Sequence, residues 1–538
     1  MKKKSIALGV VVTLGVIWAG STWYIGKQIE TRKDETITQI NALLAERFPA
    51  QKLSVSAVDY HRGFFSSTAQ IVFQSAQTGE DAVFSPDDKL VFNTNIEHGP
   101  FPVSALKQFN LVPSLAQVHS ELVNNKLTQA MFVATSGHTP LVTDSVIGLS
   151  GGSDSTIRLA ALNIPKQEDG STIKSEEFKI QLNTDKSGDN IQSSGSLPLL
   201  TFNVKDENGA FNNMQLNDLT FKGNRVLSAS GLPIGDSSLA VKKFTLTIGN
   251  EGSTAVSDLT LNSNAQESQG KYAGTVKYHA SSIQYNNAEL GSSDLQLSLK
   301  NLDAKVLKAA ADEYRTIFQG LMSGEQSGDS AENIAENAAD AAIERLGKHV
   351  QSLLQGGPVF SIDTLKLKNN SGESDFNFAI TLKNGGLTPD SINNIQQALT
   401  KSIQQLSAHL SINQPMAEEL VQQFYLANGV AIEDAKSMAK QNIAGVAALG
   451  EMTQLVAHKD NNVVSDLAYS DDKVTLNGET QPVQDFIDKY LPDTSAQDES
   501  VVPDEQDESA VPDEQEAEPD AAPAESAATP DDVPADSQ

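Results

Sequence analysis

A chain of 538 residues with 39 Lys and Arg against 69 Asp and Glu carries a formal charge of -30, which repels phosphate backbones and excludes nucleic acid as a partner. Cysteine is absent, which removes disulfides, thiolate metal sites, thiol nucleophiles and the acylated cysteine of a bacterial lipoprotein. Hydrophobic residues at 39% with only 6% aromatics suit many strands that each bury one face better than a compact enzyme core.

Lys2, Lys3 and Lys4 precede an uncharged run, residues 5–26, dominated at first by Ile6, Leu8, Val10, Val11, Val12, Leu14, Val16 and Ile17. About 20 such residues cross the hydrocarbon core of a bilayer as one helix. The lysines set a cytoplasmic N-terminus, and Trp18, Trp23 and Tyr24 stand where the opposite headgroup layer is expected, so the body follows on the exported side. A cleaved signal peptide is the rival; no A-x-A site is present and Trp18 and Trp23 flank the candidate cut. Ile29, Ile37, Ile40, Leu43, Leu44 and Phe48 then share a helical face, which extends the transmembrane anchor (1–26) as an amphipathic stalk over 27–48. The small-xxx-small spacing of Gly15 and Ala19 leaves a homo-oligomer open.

From 49 to 300 the texture is alternation, and period two predicts half-buried strands at 53–58, 71–73, 90–92, 156–162, 178–183, 214–221, 239–248, 255–261, 272–278 and 295–299. Turn-rich pieces at 206–209 and 249–252 suit hairpins, so a long antiparallel β-meander is expected. Residues 301–493 mix the two periods. Helices are expected at 303–321 and 331–354, strands at 359–367 and 376–382, and a helix from 388 to about 406. A short strand around 409–413, helices at 417–426 and 432–456, a hairpin at 463–469 and 473–476, and a closing helix at 483–490 complete the folded part. Residues 494–538 hold fifteen Asp and Glu with no Lys or Arg, and QDESVVPDE is nearly repeated as QDESAVPDE. Such a segment cannot bury a core and reads as a disordered acidic tail. The expected fold class is α+β, mainly β: an N-terminal transmembrane helix, a long twisted antiparallel meander with helices packed on one face, and that tail.

Catalytic signals are thin. Residues 148–152 match the G-x-S-x-G of a nucleophile elbow around Ser150, but their flanks read as strand and strand, which predicts a hairpin turn. Ser171 with Lys174 and Ser437 with Lys440 match a bare S-x-x-K without its companion motifs. The eight histidines lack metal-ligand spacing, and no phosphate-cradling or dinucleotide motif is present, so no catalytic residue, metal or cofactor is expected. Two clusters stand out: Tyr60, His61, Arg62 and Gly63 followed by Phe64, Phe65 and Ser66, and His98, Gly99, Pro100, Phe101 and Pro102 after Glu97. A bulge or tight corner with aromatic packing accounts for both better than a binding spot does.

These clusters also carry a resemblance. Together with Gly15-Val16-Ile17-Trp18, Trp23-Tyr24-Ile25-Gly26-Lys27, Phe65-Ser66-Ser67, Leu476-Asn477-Gly478 and Asp485-Phe486, the chain resembles the YdgA-like family of bacterial envelope proteins over nearly the whole folded region. The resemblance implies a bacterial inner-membrane protein with a periplasmic body, and it brings no catalytic residues; the acidic tail departs from the pattern. The expectation is a single-pass, non-enzymatic protein that organises the envelope or handles lipid in a curled sheet, with the membrane and lipid as partners. A periplasmic adaptor that binds envelope proteins through strand edges or the helical region is the second reading, and a serine hydrolase through Ser150 the third.

Overall fold

Alternating apolar and polar residues put opposite chemistry on the two faces of a strand, and here that pattern runs through most of the chain. The computed structural model describes residues 2–47, 52–76, 85, 87–164, 170–205, 209–249, 251–324, 347, 349–383 and 400–490. Contacts group Met1–Ile487 into one unit; the second, Asp488–Gln538, is described only at 488–490, and the expected acidic tail lies outside the described residues.

Helix α1 (Lys2–Arg47) is continuous over 46 residues and leads into β1 (Leu53–Arg62), β2 (Ser66–Ser75) and β3 (Leu90–His98). After α2 (Val103–Lys107) come β4 (Ser114–Leu122), α3 (Gln129–Ala134), β5 (Leu141–Gly148), β6 (Ser153–Leu159), the short β7 (Asn163–Ile164) and β8 (Thr172–Ser175), and β9 (Phe178–Thr184). Six long strands follow: β10 (Ile191–Lys205), β11 (Phe211–Leu227), β12 (Pro233–Ile248), β13 (Gly252–Ser268), β14 (Lys271–Tyr285) and β15 (Ala288–Asp303). Then come α4 (Ala304–Gly324), β16 (Val359–Asn369), β17 (Gly372–Leu382), β18 (Ile403–Asn413), α5 (Gln414–Ala427), α6 (Ile432–Met452), β19 (Ala457–Lys459), β20 (Asn462–Ser470), β21 (Lys473–Leu476), β22 (Glu479–Pro482) and α7 (Val483–Tyr490).

Among the described residues 22 strands join one sheet, and every pairing is antiparallel. Neighbours follow chain order, except that β6 pairs β9 past the β7–β8 hairpin, β8 pairs β10 beside β9, and β18 pairs β20 past α5, α6 and β19. The meander is therefore continuous across residue 300, where β15 pairs β16.

Register separates the faces. Asp154, Asn183, Gln192, Asn224, Asp236, Asn264, Thr275 and Ser298 are successive cross-strand partners and form a polar row. Three residues along, on the other face, Ile157, Ile180, Gly195, Phe221, Leu239, Leu261, Tyr278, Leu295, Leu365, Phe376 and Leu410 form an almost wholly apolar row. The fully buried apolar cluster lies at the far end, where Ile403, Tyr469 and Val474 pack with Ile380, Leu382, Leu406, Leu467, Val483 and Phe486. Helix α5 packs on β15 to β18; its N-terminus is capped by Asn413, which accepts from Met416 N.

One expectation changes. Residues 403–413 are strand, so the helix expected to reach 406 ends earlier; Leu406, Ala408, Leu410 and Ile412 alternate with polar residues and pair with β17 and β20. The start of that helix, and all of the expected 331–354 helix except 347 and 349–354, lie outside the described residues. Among the described residues no helix is long and apolar enough to cross a membrane. Ile6, Leu8, Val10, Val11, Val12, Leu14, Val16 and Ile17 belong to α1, but their side chains lie outside the described residues.

Candidate functional site

Among the described residues β1 pairs on one edge only, with β2, and α1 lies along the other. The Asn41 amide bonds to both backbone groups of Val55: Nδ2 donates to the carbonyl at 2.9 Å and Oδ1 accepts from the N–H at 2.6 Å. One side chain thus supplies what a neighbouring strand would supply, and the free edge is covered. Thr22, Gly26, Ile29, Lys33, Ile37, Asn41 and Leu44 are buried or half-buried and are spaced three or four apart on one helical face, and from Thr31 to Ala45 no other position of α1 is. The expected stalk is therefore docked along the sheet, with Ile40 and Leu43 left exposed.

Toward the N-terminal side the motif residues converge on this helix. Arg62 pairs with Glu30 at 2.9 Å, and its guanidinium stands 5.6 Å from the Trp23 ring centre, as does the Lys27 ammonium. Trp18 stacks on Phe65 at 5.2 Å, and its indole N–H donates to the Phe101 carbonyl at 3.0 Å. Phe64 meets Phe65 edge-on at 4.8 Å.

Beneath the helix lies a closed hydrogen-bond chain. His98 and Ser67 are each only 1% exposed. His98 Nδ1 stands 3.3 Å from the Phe64 carbonyl, which can only accept, so Nδ1 carries the proton and Nε2 accepts from the Ser67 hydroxyl at 2.8 Å. Ser67 Oγ in turn accepts from the Tyr60 hydroxyl at 3.0 Å. Burial holds the His98 pKa below its ordinary value, opposed by the Phe64 carbonyl and assisted by the Arg62 charge, so the ring is neutral. Gly26 of α1 closes over it, and a Cβ there would overlap the imidazole.

A serine donating to a histidine is the geometry of a nucleophile and its base, but here no carboxylate orients the ring and neither residue is open to a substrate. The arrangement fastens a helix. Gly99 continues it: its N–H donates to the Leu115 carbonyl at 2.8 Å, its Cα lies so close to the Ser114 carbonyl that only glycine fits, and its peptide to Pro100 is cis. Pro102, buried, starts α2, which Glu97 holds by accepting from Ser104 N and Oγ, both at 2.7 Å.

The two clusters singled out in the sequence, Tyr60 to Gly63 and His98 to Pro102, are thus brought together, with one exception. His61 is exposed on the opposite face and lines a shallow concavity with Thr68, Asn95, His119 and Glu121. The expected bulge is present, with left-handed backbone at Asp59 and a register shift between Val58 and His61, and the corner at Gly63 is closed by its N–H to the Ser66 carbonyl. Asn41 was missed, and nothing in its neighbourhood marks it; Ser67 lay within the family motif without a role.

Elsewhere, Ser150 sits in the β5–β6 hairpin turn between two strands. Ser437 and Lys440 are exposed on α6. Cross-strand pairs His119–Asp144, His279–Asp294 and His409–Asp466 decorate the polar face at 2.6 to 2.7 Å. Among the described residues no group of three His, Asp or Glu is placed to hold a metal ion. A concavity of about 1170 Å³ is open and lined by Asp154, Asn183, Gln192, Asn224, Asp236 and Asn264, so the polar row lines it and the apolar row does not.

The profile of a bacterial protein family of unknown function, DUF945, matches residues 1–484. The chain is 30% identical to Protein YdgA of Escherichia coli K12 over 91% of its own length and 97% of that protein. It is 25% identical to the uncharacterized protein YihF of the same organism over 91% and 99%. An uncharacterized protein of Haemophilus influenzae is 28% identical over 30% of this chain and 43% of its own. No solved structure matches the chain.

Proposed function

The chain belongs to the DUF945 family of bacterial proteins, and on that premise we propose a non-catalytic, membrane-tethered envelope protein whose sheet handles lipid. In this reading α1 crosses the inner membrane with Lys2, Lys3 and Lys4 in the cytoplasm, and the sheet stands in the periplasm. The observation that carries it is the apolar row from Ile157 to Leu410. At about 4.8 Å per strand it runs for roughly 50 Å across eleven strands, long enough to receive acyl chains along its length. Side chains on it and beside it, Tyr278 and Leu297 among them, remain more than a third exposed, and among the described residues α4 and α5 meet the sheet at β15 to β18 and α6 meets it at β19.

The test uses the full chain in its native membrane with a photoreactive phospholipid. Crosslinks on β9 to β14 peptides, weakened when Leu239→Asn and Leu261→Asn are combined, are expected. Crosslinks confined to α1 would remove lipid handling and leave the tether. A second reading is favoured by α6, where Val446, Leu449 and Met452 stand exposed at helical spacing. A protein partner on that face makes the chain an adaptor, and crosslinking would then recover protein there.

A further inference from the structure

Docking of α1 begins early. Trp18 is bonded to Phe101 and stacked on Phe65, and Thr22 is fully buried, so at most residues 5–17 of the uncharged run are left to cross a bilayer. Those thirteen residues rise about 20 Å as a helix. A bilayer hydrocarbon core is about 30 Å thick. If α1 crosses, the body must make up roughly 10 Å by entering the membrane itself.

The end of the sheet from which α1 departs is built for that. Phe64 and Phe65 are exposed there, beside Trp18. Phe101, which accepts from Trp18, leads into α2 and a loop whose Phe109, Leu111 and Val112 are 90%, 68% and 70% exposed. The loop returns to the same place, since Ser114 N donates to the Pro100 carbonyl. Its apolar side chains are held outward by an ordered backbone. Phe109 adopts left-handed φ of 56° with its N–H on the Leu106 carbonyl, Asn110 N donates to the Ala105 carbonyl, and Val112 N donates to Asn110 Oδ1. Charge agrees: in a chain of -30, residues 99–113 contain Lys107 and no acid, and Lys27 and Arg62 stand over Trp23 nearby.

We propose that this end of the body is seated in the outer surface of the bilayer that α1 crosses, with Phe109, Leu111 and Val112 inserted below the headgroups and Trp18 and Trp23 at their level. The proposal rests on the membrane-tether reading of α1. It makes the protein a plug set into the membrane surface, with the sheet held at a fixed angle to the bilayer instead of swinging on a free stalk.

Because the chain lacks cysteine, single labels can be placed without other changes. Full-length Val12→Cys, Leu111→Cys and Val446→Cys variants, each carrying an environment-sensitive fluorophore, are reconstituted into phosphatidylethanolamine and phosphatidylglycerol vesicles containing a lipid-borne nitroxide quencher. Quenching at 12 and 111 is expected to exceed that at 446 several-fold, and adding Phe109→Ser and Val112→Ser is expected to lower it at 111 alone. Strong quenching at 12 with position 111 no different from 446 overturns the seated loop and leaves the tether standing. Absence of quenching at 12 overturns the tether, and this inference with it.

Discussion

The imidazole of His98 must be neutral to accept from Ser67 while it donates to the Phe64 carbonyl, and that requirement links α1 docking to pH. Burial lowers its pKa in the folded chain, so the unfolded chain takes up the proton at the higher pH. The contribution of the bond chain is therefore complete above the unfolded value of about 6.5 and is lost as pH falls from there through the folded value. His119 works in the opposite sense: hydrogen bonds to Asp144 and Glu121 raise its pKa, so its pairing is present at low pH and lost as pH rises, and its exposure keeps the effect small. A His98→Asn variant separates the two. Melting between pH 8 and pH 5 should fall more steeply in the parent chain than in this variant, and parallel curves would show that His98 carries no pH dependence.

For a helix, two glycines on α1 give opposite forecasts from identical chemistry. Gly20 has open space around its Cα, so Gly20→Ala should strengthen the helix by about 0.5–1 kcal/mol. Gly26 faces His98, so Gly26→Ala should cost about 1–3 kcal/mol through overpacking. Hydrogen exchange over residues 18–47 in the detergent-solubilised chain reads both, and equal protection in the two variants would mean that α1 is not clasped. The sequence made α1 visible through its apolar run, but not its docking, because Asn41 acts through the backbone of a strand fourteen residues away. Strand positions were legible wherever alternation held. Strand lengths were not: Asp218 and Asp258 take left-handed backbone within β11 and β13, and apolar residues change from odd to even numbers there, as from Phe221 and Leu219 to Leu216 and Met214. Period two fades at such a break while pairing carries the strand on to 17 residues.

At the scale of the whole molecule, the polar and apolar faces could be read from alternation, but which of them lines the concavity depends on how the sheet curves, which no local pattern encodes. The end of the fold is better specified. Phe486 and Val483 complete the cluster around Ile403, Tyr469 and Val474, and Ile487 is 2% exposed on the same short helix, whereas residues 494–538 contain fifteen acids and little that could be buried. The family match likewise stops at residue 484. A chain ending after Tyr490 should therefore melt with the full-length protein. One ending after Pro482 loses three apolar side chains, each worth about 1.5–3 kcal/mol when buried, and should melt several degrees lower, with the greatest loss of exchange protection in β18, β20 and β21. If removing 491–538 alone lowers the melting temperature as far, the acidic segment is part of what stabilises the sheet, and the fold does not end at α7.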